Sequence, residues 1–185
     1  MASIFGHALA ATTIGKVYQS KTEGWKFYLL GIVCAILPDA DVVGFKFGIA
    51  YESFWGHRGF SHSLLFALLL AVFVVLVFFK KSGGQQKLLL VSYYFLCTAS
   101  HAVLDAMTSG GLGVAFFSPW EDSRYFFPFR PIKVSPIGIK QFFSTWGIKV
   151  LVSELVWIGI PTLTFLTCKV LMQKLVLYFI EKKEG

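Results

Sequence analysis

A chain of 185 residues that is 56% hydrophobic and only 15% charged, with a mean hydropathy of +0.67, has too little polar residue content for an ordinary soluble domain. Its formal net charge of +7 comes from Lys and Arg residues that mostly flank apolar blocks, which argues for membrane-edge anchors and against nucleic-acid binding. Cys34, Cys97 and Cys168 lie inside apolar blocks without Cys-x-x-Cys spacing, so a disulfide scaffold or zinc ribbon is excluded and they read as small buried hydrophobes.

In chain order, Ala2 to Tyr18 and Trp25 to Ala40 predict two helices, each short for a full span, so a tilted or re-entrant hairpin is the alternative. No basic region precedes the first block, so it is expected to be retained, not cleaved as a leader. Pro38 is expected to end the second helix and leave Asp39 and Asp41 in an extended segment, where positions i and i+2 point the same way. Phe60 to Phe79 is the clearest span, close to the ~20 residues that a bilayer core needs, and Lys80-Lys81 closes it. Ser61 is its expected N-cap, with His57 on the entering loop and His62 in the first turn.

After the polar turn Ser82 to Lys87, Leu88 to Met107 returns antiparallel. Val150 to Cys168 is a further span with Pro161 as a tolerated kink, and 169–185 either extends it or lies in the interface as an amphipathic tail. The expected fold is all-α: one polytopic helical membrane domain over 1–185, with about five membrane-embedded helices and a polar metal site at one membrane face.

All four histidines and three of the four aspartates of this oily chain fall in four islands: Gly6-His7, Pro38-Asp39-Ala40-Asp41, His57-Arg58-Gly59-Phe60-Ser61-His62-Ser63 and His101-x-x-x-Asp105. Charged groups in such a setting are costly unless they meet one another or an ion. Following the chain back and forth through the predicted helices places every island on one face, while Lys16, Lys21, Lys26, Lys80, Lys81 and Lys87 occupy the other. His101 and Asp105 share one side of a helix at i and i+4. Imidazole and carboxylate suit zinc above all, and also manganese or iron. His7, Asp39, Asp41, His57, His62, His101 and Asp105 are therefore the expected ligands for one or two divalent ions.

These ordered motifs, with His101-x-x-x-Asp105-x-x-Thr108 and the segment Arg124-Tyr125-Phe126-Phe127-Pro128-Phe129, resemble the YdjM-like membrane-bound metal-dependent hydrolases of bacteria, over about residues 3 to 140. His-Arg-Gly-x-Ser-His-Ser is the most specific element. The resemblance implies a multi-pass helical protein of the bacterial inner membrane and a metal-dependent hydrolase. The motif order is also similar, more faintly, to zinc-dependent phospholipase C. This chain has no histidine after His101, so it departs from the full three-zinc set of those enzymes.

A metal-activated water needs no side-chain nucleophile. Asp41, Asp105 and Glu154 are the candidate catalytic carboxylates, with Lys149 or Arg58 as the alternative ion-pair partners of Glu154. Arg58, Arg124 and Arg130 are candidate clamps for a phosphate or sulfate, or else structural pairs and interfacial anchors. The expected substrate is a lipid or membrane-associated ester or phosphoester. Ser61 or Ser63 with His62 and Asp105 offers the residue types of a serine-hydrolase triad, but no Gly-x-Ser-x-Gly elbow is present. The rival readings are a cation-binding or transport protein, and a non-catalytic scaffold pinned by metal. The lysine-rich face is expected in the cytoplasm and the site outside.

Overall fold

The computed structural model describes residues 1–18 and 24–184; Lys21, one of the expected edge lysines, lies outside them. Helix α1 (Ile4–Val17) begins where the Ser3 side chain accepts from the Gly6 N–H at 3.5 Å. Helix α2 (Trp25–Ile36) does not stop at Pro38. It runs into a 3₁₀ stretch, Leu37–Phe47, so that Trp25–Phe47 forms one apolar segment of 23 residues. Pro38 sits in the first turn of that stretch, where its missing N–H costs least. Asp39 and Asp41 are therefore helical and not extended, which corrects the sequence expectation.

A second short 3₁₀ turn, Phe60–His62, precedes α3 (Leu64–Phe78). The cap of α3 is Ser63, which accepts from the Phe66 N–H at 3.1 Å, and not Ser61. The expected 20-residue span shortens to 15 residues because residues 60–62 turn aside and carry His62 towards the other islands. Helix α4 (Gly84–Ala106) returns antiparallel to α3, and a short α5 (Ile139–Phe142) follows a long loop. Helix α6 (Thr145–Glu154) continues through a π turn, Leu155–Gly159, into α7 (Ile160–Glu184). Pro161 is the second residue of α7, just past the end of the π turn at Gly159, where its missing N–H is tolerated. The tail is thus the continuation of the last helix.

Among the described residues, three segments are long and apolar enough to cross a membrane: Trp25–Phe47, Gly84–Ala106 and Thr145–Lys182. Helices α1 and α3, at 14 and 15 residues, are shorter. Among the described residues there are only isolated β-bridges, Thr108 with Ile132 and Val114 with Tyr125, and no strand.

The bundle of α1 to α4 closes around Tyr93, whose ring stacks on Phe27 with centroids 4.0 Å apart. A Cβ on Gly31 would stand 2.1 Å from the Tyr93 hydroxyl, so glycine is what lets α2 approach α4 this closely. Cys34 and Cys97 are buried in this core as expected, whereas Cys168 is exposed on α7. The loop after α4 folds back over the end of the bundle. Ala115 N–H donates to the Arg58 carbonyl at 3.0 Å, Leu64 N–H to Phe116 at 3.0 Å, and Ser109 N–H to Ile132 at 2.8 Å.

Candidate metal centre

At the end of the bundle covered by that loop, the islands converge: the first turn of α1, the 3₁₀ extension of α2, the entry to α3 and the last turns of α4. Asp39, His62, His101 and Asp105 each present one ligand atom, and these four atoms lie within 4.8 Å of one another. The two Nε2 atoms of His62 and His101 are 3.0 Å apart. Asp39 Oδ1 is 3.7 Å from the first and 3.4 Å from the second, and Asp105 Oδ2 is 3.7 and 3.9 Å away. A tetrahedral ion with bonds of ~2.0–2.1 Å sets its ligand atoms roughly 3.3–3.4 Å apart, so these edges enclose a point of the right size.

The hydrogen bonds point the same way. Asp39 Oδ1 and Asp105 Oδ2 are buried without a hydrogen-bond partner, although unmet buried carboxylate oxygens are expensive. Both are directed at the place an ion would fill. The donor set therefore fits a divalent metal on the structure's own terms.

Around this group a second layer fixes the imidazoles. His101 Nδ1 lies 2.7 Å from the Ala35 carbonyl and donates to it, which leaves Nε2 bare towards the cluster. His62 is turned the same way by Asp41, whose Oδ2 is 3.2 Å from His62 Nδ1. Asp41 also accepts from His57 Nδ1 at 2.7 Å, Ser61 Oγ at 2.7 Å and the Arg58 N–H at 3.2 Å. Asp41, His57 and His62 form a second group within 4.8 Å, but it meets His62 through Nδ1, while Nε2 faces the first. On the 3₁₀ turn, i and i+2 are ~120° apart, which aims Asp39 at the cluster and Asp41 behind it.

Electrostatics separate the two buried histidines of the segment entering α3. Burial alone would lower the His62 pKa, but bonds to Asp105, Asp39 and Asp41 override it and raise the value to about 10. His57 goes the other way, because burial outweighs its bond to Asp41.

His7 is fully buried and stacks on His101 with ring centroids 3.8 Å apart. Its Nε2 is 3.5 Å from Asp105 Oδ1 and 4.0 Å from Asp39 Oδ2, and neither ring nitrogen has a hydrogen-bond partner.

Arg58 is fully buried, with a left-handed φ of 64° that bulky residues seldom adopt. Its Nε is 3.0 Å from Asp105 Oδ2, and its two terminal nitrogens donate to Thr108 Oγ1 and the Gly110 carbonyl, both at 2.9 Å. Gly111 lets the loop lie against this guanidinium, since a Cβ there would be 2.6 Å from it. Arg58 is thus engaged within the protein, where it balances Asp105.

The remaining predicted residues stand outside the cluster. Arg124 donates to the carbonyls of His57, Tyr51 and Ser53 at 2.8–3.1 Å and so braces the loop carrying His57. Arg130 is exposed, its guanidinium 4.6 Å from the Phe126 ring centroid. Glu154 bonds neither Lys149 nor Arg58 but accepts from the N–H of Ser3, and from Ser3 Oγ at 2.5 Å. Gly6 permits that approach, with a notional Cβ 3.1 Å from the Glu154 carboxyl carbon. Neither the Ser3 contact nor the Ala35 carbonyl was foreseen, because nothing local in sequence marks partners 151 and 66 positions apart.

Residues 1–178 match the family model described as YdjM inner membrane protein. The chain belongs to the YdjM family. The inner membrane protein YbcI of Escherichia coli K12 is 39% identical over 166 residues that cover 87% of this chain and 92% of the relative. No solved structure gives a significant match. As a YdjM-family member with several apolar helices, the chain is a membrane protein, and its His and Asp cluster belongs to an inner-membrane setting.

Proposed function

We propose that this protein is a metal-dependent hydrolase that cleaves an ester or phosphoester at the surface of the bacterial inner membrane. The observation that carries the reading is the convergence of Asp39 Oδ1, His62 Nε2, His101 Nε2 and Asp105 Oδ2 on one ion-sized point, with Asp39 Oδ1 buried without a hydrogen bond and Asp105 Oδ2 facing only the ion pair with Arg58 and the chain's amino group outside the cluster. One divalent ion, zinc by ligand type and spacing, is the occupant that suits four such ligands. When bound, it supplies Lewis acidity and acidifies water to a pKa of ~7.

The chain's own residues do the rest. Asp41 fixes the ring of His62 from behind, with His57 and Ser61 holding Asp41 in turn. Arg58 offsets the negative charge of Asp105 and keeps its second oxygen pointed inwards. His7 has an uncommitted imidazole beside Asp39 and Asp105, which makes it the group placed to accept a proton. Glu154 holds Ser3 and hence the start of α1, a positioning role in place of the catalytic one first considered. Ser63 is occupied as a helix cap and Ser61 as a donor to Asp41, which leaves the serine-triad reading without a free nucleophile.

The cluster lies at helix ends and not at mid-span, which supports an interfacial catalyst over an ion pathway. Lys16, Lys26, Lys80, Lys81 and Lys87 flank the opposite helix ends, which by the positive-inside rule supports a site on the extracytoplasmic side.

Metal content per chain on detergent-purified protein tests the reading. Stoichiometric metal is expected, with loss in a His101→Ala, Asp105→Ala double variant. Wild-type protein without metal after chelator-free purification would refute it, and metal without hydrolysis of any ester or phosphoester lipid would reduce the ion to a structural pin.

A further inference from the structure

We propose that the substrate reaches the centre sideways from the bilayer, as an acyl-chain lipid seated in the groove between the start of α1 and the end of α2. The inference rests on the hydrolase reading for its chemistry but on different observations for its geometry.

Of the four ligand residues, His62, His101 and Asp105 have side chains with 0% exposure, whereas the Asp39 side chain keeps 11%. Anything that reaches the cluster must come past Asp39. Asp39 opens onto a groove of about 430 Å³ whose other lining residues include Ile4, Val33, Ile36, Leu37 and Ala40. That volume falls in the ~300–1,000 Å³ range of small-molecule sites. Met1 also lines it, with its amino group turned to Asp105 Oδ2 at 4.0 Å, and apart from Asp39 no side chain in the lining is charged. Beyond the Asp39 end the walls are the apolar side chains of Ile4, Val33, Ile36 and Leu37, which suit a hydrocarbon chain better than the charged part of a water-soluble phosphoester.

The groove faces outward. Ile4, Val33 and Leu37 are 52%, 46% and 38% exposed, the latter two on the segment Trp25–Phe47 that is apolar enough to cross a membrane. It sits at the helix ends, so a chain lying along Val33 and Leu37 brings its ester or headgroup to the depth of Asp39. The other approach is closed among the described residues: Arg58 is 0% and His57 1% exposed, and the loop from Ser109 to Ala115 is bonded across them. A site sealed from water and open to hydrocarbon selects a membrane lipid.

The test uses the full-length protein in phosphatidylethanolamine and phosphatidylglycerol vesicles doped with phosphatidylglycerol carrying a diazirine in its acyl chain. After irradiation, labelled peptides are mapped by mass spectrometry. Labelling is expected to concentrate at residues 1–9 and 30–40, several-fold above the lipid-exposed faces of α3 and α7, and to fall at least fivefold in Val33→Trp, which fills the groove from an exposed position. Uniform labelling of all lipid-facing helices in the wild-type protein would overturn the proposal, as would labelling of the groove that Val33→Trp leaves unchanged. Metal content measured on the same samples separates the two readings. Groove labelling in protein without metal sustains lipid entry while removing the hydrolase, and uniform labelling in metal-loaded protein does the reverse.

Discussion

Asp41→Asn distinguishes a carboxylate that orients a ligand from one that is a ligand. In the structure Asp41 touches the cluster only through His62 Nδ1, and its Oδ2 side gathers three donors: Ser61 Oγ, the Arg58 N–H and His62 Nδ1. An asparagine can keep its carbonyl towards those three and turn its amide towards His57, whose neutral ring can switch tautomer to accept. What is lost is the charge on the acceptor, and charge-assisted bonds are roughly twice as strong as neutral ones. Removing such a supporting partner costs ~10–100-fold in metal affinity, or about 1.4–2.7 kcal/mol.

Competition against a chromophoric zinc chelator in detergent at fixed pH measures the change directly. Stoichiometry should remain at the wild-type value while affinity drops by that factor. If Asp41→Asn instead lost the metal as completely as the His101→Ala, Asp105→Ala pair, Asp41 would be a direct ligand and the single-ion assignment would fail. Unchanged affinity would refute the orienting role.

Two further outcomes follow from the same geometry. Without an ion, the carboxylates around His62 hold its proton up to about pH 10, and an ion needs that Nε2 lone pair. Binding at neutral pH therefore expels a proton, so affinity should rise about tenfold per pH unit between pH 6.5 and 8.5, and a flat profile by calorimetry in paired buffers would refute this. Arg58→Ala strips Asp105 of one of its two counter-charges, the other being the Met1 amino group 4.0 Å away, and with a loss of about 3 kcal/mol should lower the thermal midpoint in detergent by roughly 10 °C. A shift of only a degree or two would show that Asp105 is balanced by other groups.

Most of the site was legible because the chain has so few ionisable groups among its apolar blocks. His7, Asp39, Asp41, His57, His62, His101 and Asp105 do meet, and helix counting alone put them on one face. What could not be read was the division of labour between Asp39 and Asp41. That depends on a 3₁₀ continuation past Pro38, where tertiary packing overrode the usual expectation of a helix stop. The same limit applies to Arg58. Its sequence neighbours suggest a clamp for substrate, but only the fold reveals that Thr108, Gly110 and Asp105 occupy its donors. Span lengths were overestimated for α3 because hydropathy does not register that Phe60 and its neighbours bend into the centre.

The four ligands come from two hairpins. The 3₁₀ extension of α2 contributes Asp39, and the α3 to α4 pair with its entry turn contributes His62, His101 and Asp105. Helical membrane proteins insert their helices first and associate them afterwards. After insertion but before association, each hairpin holds an incomplete set. Ion capture and the joining of the hairpins are therefore one equilibrium, with the ion acting as a clasp: metal in the medium favours the assembled bundle, and a chelator loosens it from the end where the chemistry is done.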